Sequence, residues 1–125
     1  MKSIFCLLLT LFTVSAFSTT DPKAAYLMTQ KGEAVIINVR ESNETKSGMI
    51  KDAKWFPLSQ VLEDKKWKET FLKISADKKL FLYCRSGKRS ERVMNILKEN
   101  GISSENIGGY ESLKKILPIK APEVK

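Results

Sequence analysis

Two short runs constrain the fold of this chain more than any other feature: Ala34 to Val39, and Leu80 to Tyr83. Both are almost wholly apolar, and the first is rich in β-branched residues, which predicts strands buried inside a fold. Helical signals surround them. Asp21-Pro22 reads as an N-cap with proline at the first helical position, and Ala24, Ala25, Leu27 and Met28 continue a helix stopped near Gly32. Arg40 to Gly48 is polar and loop-like. Ala53 to Phe56 predicts a short strand ended by Pro57. Ser59 is placed to cap one helix whose apolar face includes Val61, Leu62, Trp67, Phe71 and Leu72. Val93, Met94, Ile96 and Leu97 share one helical face, and Asn100-Gly101 ends that helix. A brief strand and turn follow over Asn106 to Gly109. A last helix is expected over Tyr110 to Leu117, stopped by Pro118, with a frayed polar tail from Lys120. Strands alternating with helices imply an α/β fold, with a mainly parallel sheet and helices on both faces.

Composition narrows the setting. The chain has 125 residues, enough for one domain, and shows no internal repeat. Its formal net charge is +8. The lysines are scattered and no aromatic-basic stripe accompanies them, so a solvated basic surface is expected and specific nucleic-acid binding is not. Lys2, the apolar stretch Ile4 to Val14 and the small residues Ser15, Ala16 and Ser18 form the three-part pattern of a secretory signal peptide. Cleavage falls after Ala16 or Ser18. The expected organisation is a leader over residues 1–18 and one domain over 19–125, in a periplasmic or secreted protein with no membrane span after cleavage. Cys6 leaves with the leader, so Cys84 is the one cysteine of the mature chain.

Cys84 opens the turn Cys84-Arg85-Ser86-Gly87-Lys88-Arg89-Ser90, between a strand and a helix. Ligands in parallel α/β folds bind beyond the carboxyl ends of strands, where this turn lies. Free amides at the helix start and the cations Arg85, Lys88 and Arg89 favour a thiolate beside a bound anion. Gly87 lets the backbone curl without steric cost, and Ser86 and Ser90 bring hydroxyl donors. The expected chemistry is a nucleophilic sulfur in an anion-binding cup.

This turn resembles the active-site loop of rhodanese-like sulfurtransferases. Ile36-Ile37-Asn38-Val39-Arg40-Glu41, then Gly48-Met49-Ile50 and Ala53 to Leu58, is similar to the family's early strand and its glycine-isoleucine segment. Gly108-Gly109-Tyr110 is similar to its double glycine. The resemblance covers about residues 24–117. The family commonly has Asp at Asn38, His at Met49 and Trp at Leu113.

The resemblance implies a rhodanese-like fold and a thiosulfate sulfurtransferase with Cys84 as nucleophile. Arg85, Ser86, Gly87, Lys88 and Arg89 would form the substrate-binding loop, supported by Asn38, Arg40, Glu41 and Ser90. A small anionic donor such as thiosulfate would load a persulfide on Cys84, and a thiol or cyanide would accept the sulfur. No metal or organic cofactor is needed, a monomer suffices, and the chain contains no histidine for a Cys–His pair. Arg40 and Glu41 either hold the loop by charge-assisted hydrogen bonds or form a surface ion pair. One rival is a persulfide carrier or anion-binding regulatory module of the same fold. Another, a phosphatase or arsenate reductase, wants arginine six positions after the cysteine, where this chain has Ser90.

Overall fold

The computed structural model describes residues 20–46, 48–75 and 78–120. The expected leader therefore lies outside the described residues. Asp21 caps α1 (Pro22–Gln30), its carboxylate accepting from the amides of Lys23 and Ala24. Pro22 stands in the first turn, where a missing N–H costs nothing. Gly32, at φ 78°, then turns the chain into β1 (Ala34–Asn38).

The stretch after β1 is not a plain loop. It contains a short helix, α2 (Ser42–Thr45), where the Glu44 carboxylate accepts from the Glu41 amide at 3.1 Å. Two short strands follow, β2 (Met49–Ile50) and β3 (Lys54–Trp55). The single helix expected from Ser59 is instead two, α3 (Leu58–Glu63) and α4 (Trp67–Ser75). Asp64 takes an extended backbone between them, and its carboxylate accepts from the Lys66 amide. That local bond competes with a continuous helix. Ser59 is not the cap either: Pro57 is, and Ser59 spends its amide and hydroxyl on the Glu41 carboxylate.

The second half runs β4 (Lys79–Cys84), α5 (Lys88–Glu99), β5 (Glu105–Gly109), α6 (Tyr110–Leu113) and β6 (Ile119–Lys120). The last helix stops at Leu113 rather than Leu117. Instead of fraying at once, Ile119 and Lys120 pair antiparallel with Ile50 and Met49. The main sheet has the order β3-β1-β4-β5, and its three pairings are all parallel.

The pleat sorts the apolar runs onto two faces. Ile37, Val39, Leu80, Leu82 and Cys84 pack with Val61, Phe71, Val93 and Leu97, so α3, α4 and α5 cover one side. Ala34, Ile36, Phe81, Tyr83 and Ile107 pack with Ala25, Tyr110 and Leu113, so α1 and α6 cover the other. Phe71 stacks on Phe56 at 4.6 Å between ring centroids and meets the edge of Trp67 at 5.8 Å. The fully buried Phe56 and Phe71 side chains each contribute about 2 kcal/mol of transfer free energy. The α/β architecture expected from the alternating pattern is the one observed.

Candidate active site

Strand β4 ends at Cys84, on the face shared with α5. The chain then has three residues in which to reverse into that helix. Gly87 makes this possible at φ 96°, a left-handed conformation that costs glycine little, and it serves as the N-cap of α5. The turn thereby wraps its donors around the sulfur. Cys84 Sγ accepts from the Gly87 amide at 3.0 Å, the Ser90 amide at 3.3 Å and the Ser90 hydroxyl at 3.4 Å.

Burial is the largest single influence on the Cys84 thiol and pushes it up. The Ser90 hydroxyl and the amides of Ser90, Gly87 and Ser86 together outweigh it, and the thiol titrates below its ordinary value. These stabilising donors all belong to the turn and the first turn of the helix.

The cations of the turn go elsewhere. Arg85 and Lys88 are exposed. Arg89, expected to face an anionic donor, forks onto the Glu44 carboxylate, with Nη1–Oε1 at 2.5 Å and Nη2–Oε2 at 2.6 Å. The fork holds Glu44 down to about 2, and Arg89 is pushed up chiefly by the same bond. Arg85 instead lines a hollow of about 250 Å³ with Arg40, Asn43, Glu44, Tyr110 and Glu111. A wider hollow of about 670 Å³ lies at the opposite end of the sheet, by Leu72, Lys79, Ile102 and Glu105, away from Cys84.

Arg40 and Glu41 part company. Arg40 is buried, donates to the carbonyls of Gly48 and Glu44, and lies over the Tyr110 ring at 4.1 Å from its centroid. Glu41 turns to Ser59. Asn38 Oδ1 accepts from the Arg40 amide at 2.9 Å, so it fixes the chain where it leaves β1.

Three residues around the turn escaped the sequence reading in these roles. Glu44 sits in a segment read as loop, with no local signal for a partner 45 positions away. Asn106 falls in the brief strand that the sequence predicts, yet its side chain reaches Ser90, Gly87 and Gly108. Gly109, noted as part of a double glycine, abuts the turn itself: a Cβ there would lie 2.5 Å from the Arg85 carbonyl oxygen. Among the described residues no cluster of three or more His, Cys, Asp or Glu could hold a metal ion, and no helix is long and apolar enough to cross a membrane.

Comparison with known proteins finds relatives of this chain. A family model described as a rhodanese-like domain matches residues 21–115. The uncharacterized protein YqhL of Bacillus subtilis is 39% identical over 69 residues, covering 55% of this chain and 50% of that protein. A mitochondrial protein of Schizosaccharomyces pombe, provisionally named a thiosulfate sulfurtransferase, is 35% identical over 83 residues, covering 61% of this chain and 57% of that one. The chain thus spans about half the length of the curated relatives it matches. Among solved structures, a rhodanese with anions from E. coli aligns with a TM-score of 0.59 at 25% identity, covering 70% of this chain and 98% of that one.

Proposed function

The chain belongs to the family of rhodanese-like domains, and from that premise we propose that it is a sulfurtransferase carrying sulfane sulfur as a persulfide on Cys84. The observation that carries this reading is the set of donors converging on Cys84 Sγ: a hydroxyl and two amides within 3.4 Å. Such a set stabilises an anionic sulfur without a histidine base, and the chain has none.

In the first half-reaction the Cys84 thiolate attacks the outer sulfur of thiosulfate. The sulfur–sulfur bond of the donor breaks, and sulfite leaves with the electron pair. The persulfide carries its negative charge on the outer sulfur, within reach of the turn's amides. In the second half-reaction cyanide or an acceptor thiolate attacks that outer sulfur, and Cys84 departs as the thiolate with the bonding pair. Arg85 and Lys88, exposed at the rim, attract the anionic donor. Cys84 is fully buried, so loading also requires the Arg85–Gly87 turn to yield.

A phosphatase reading fits less well. The position six after the cysteine holds Ser90, which bonds Sγ, and Arg89 is committed to Glu44. Residues 1–18 complete the proposal as an export leader, placing the domain in the periplasm or outside the cell.

Intact mass before and after thiosulfate tests the reading. A gain of one sulfur that cyanide removes, and that Cys84→Ser lacks, is the expected result. No gain on the reduced protein removes thiosulfate as donor. The same spectrum locates the mature N-terminus.

A further inference from the structure

Asn106 lies on β5, outside the turn, but its carboxamide is hydrogen-bonded to both sides of the cup. Nδ2 donates to the Gly87 carbonyl at 2.8 Å, while Oδ1 accepts from the Ser90 hydroxyl at 2.7 Å and from the Gly108 amide at 2.9 Å. Gly87 and Ser90 are also the residues whose amides meet Cys84 Sγ. We propose that Asn106 is a positioning residue for sulfur transfer, holding the Gly87 amide against Cys84 Sγ and sharing the Ser90 hydroxyl with it; the inference rests on the sulfurtransferase reading above.

The backbone explains how. Gly87 has left-handed torsions, φ 96° and ψ −13°, so its carbonyl and its own amide are set relative to each other by one residue with no side chain to stiffen it. Anchoring the carbonyl to Asn106 and to the Glu91 amide aims the Gly87 N–H at the sulfur. The β5 strand is itself shaped for the task. Leu82 pairs with Asn106 but Cys84 pairs with Gly109, so β5 holds an extra residue, and this bulge brings its glycines against the turn.

Ser90 adds a second element. Its one hydroxyl proton faces three acceptors: Asn106 Oδ1 at 2.7 Å, the Gly87 carbonyl at 3.1 Å and Cys84 Sγ at 3.4 Å. When the charge resides on Sγ, the proton turns to it. When the charge moves to the outer sulfur of a persulfide, the Ser90 hydroxyl donates to Asn106 Oδ1 instead, and no hydroxyl is stranded. Among charged side chains, Arg89 has a field that reaches Cys84, Glu44 and Glu41 act on Arg89 in turn, and Arg85, Lys88 and Glu91 are chain neighbours of Cys84, Gly87 and Ser90.

The test is the pH dependence of Cys84 alkylation by iodoacetamide, a neutral probe that reads the thiolate without any sulfur donor. It therefore decides on Asn106 even if thiosulfate proves not to be the donor. In Asn106→Asp an oxygen faces the Gly87 carbonyl, and a full negative charge takes the place of the oxygen that accepts from the Ser90 hydroxyl. The alkylation midpoint should rise by about one pH unit, with about tenfold slower alkylation at neutral pH. Asn106→Ala, which leaves the Gly87 carbonyl its bond from Glu91, carries the same test if the aspartate variant does not fold. Its midpoint should rise by a smaller step. Midpoints that coincide with the unaltered protein overturn the proposal. A fall in the alanine variant also overturns it, because Asn106 would then act only as a competitor for the Ser90 proton.

Discussion

Arg89 and Glu44 are 45 residues apart in sequence and joined by two parallel hydrogen bonds, 2.5 and 2.6 Å long. The fork ties the first turn of the helix behind Cys84 to the short helix after β1. It makes Arg89 a brace for the cup and leaves Arg85 and Lys88 as the turn's exposed cations.

The brace has a pH signature. Glu44 titrates near 2 in the folded protein against an ordinary 4.5. A depressed carboxyl contributes its stability in full above the unfolded value and loses it as pH falls through the folded one. With 17% and 30% of the two side chains exposed, solvent screening limits the contribution to about 1–2 kcal/mol. Glu44→Gln should therefore unfold at lower urea than the parent protein at pH 7. The gap should narrow between about pH 4.5 and pH 2.

Ser90→Ala removes a hydroxyl donor and keeps the amide donors to the sulfur. Losing a donor to the anion favours the protonated thiol, so the Cys84 midpoint should rise by roughly one unit and alkylation at neutral pH should slow about tenfold. Stopped alkylation at a series of pH values checks this, and the rate should recover only above the new midpoint.

Gly109→Ala is expected to damage the cup directly. Its Cβ would stand 2.5 Å from the Arg85 carbonyl oxygen and 3.0 Å from Ser86 Cα, both backbone atoms that cannot rotate away. The turn must shift, and displacement on the scale of 1 Å costs about 100-fold in rate. Persulfide formation, read by mass against time, should slow by that order while circular dichroism keeps the α/β signature.

Tyr83→Phe separates stability from the site. The Tyr83 hydroxyl accepts from the Ile50 amide at 3.0 Å, and burial, its largest influence, holds the phenol up to about 12. Removing the hydroxyl leaves that buried amide unpaired, at a cost of about 1–3 kcal/mol. The urea midpoint should fall accordingly. Tyr83 faces the sheet side opposite Cys84, so the alkylation profile should not move.

Much of this molecule is legible in short windows of sequence. Asp21-Pro22 marks the start of α1, and the two apolar runs mark the central parallel strands β1 and β4. Cys84 to Ser90 marks the strand-to-helix turn with its thiol. These signals are local: a cap, a periodicity, a glycine that can take positive φ. The failures are also instructive. The helix expected from Ser59 divides at Asp64 because a two-residue side-chain bond ends it, a choice that apolar spacing does not report. The pairing of Ile119-Lys120 with Met49-Ile50 joins segments about 70 residues apart, and neither has a pattern that names the other.

Local order, then, is written in the letters of the chain, because backbone sterics and side-chain period act over a few residues. It was enough to put a thiol at the carboxyl end of a buried strand, facing the amides of a helix start. Tertiary structure alone chose which groups serve that thiol. Packing sent Arg89 to Glu44, drew Asn106 across from β5 to hold Gly87 and Ser90, and pressed Gly109 against the turn. Those are contacts between elements, and their selection depends on where the sheet and its bulge carry each side chain, which no window of neighbouring residues encodes.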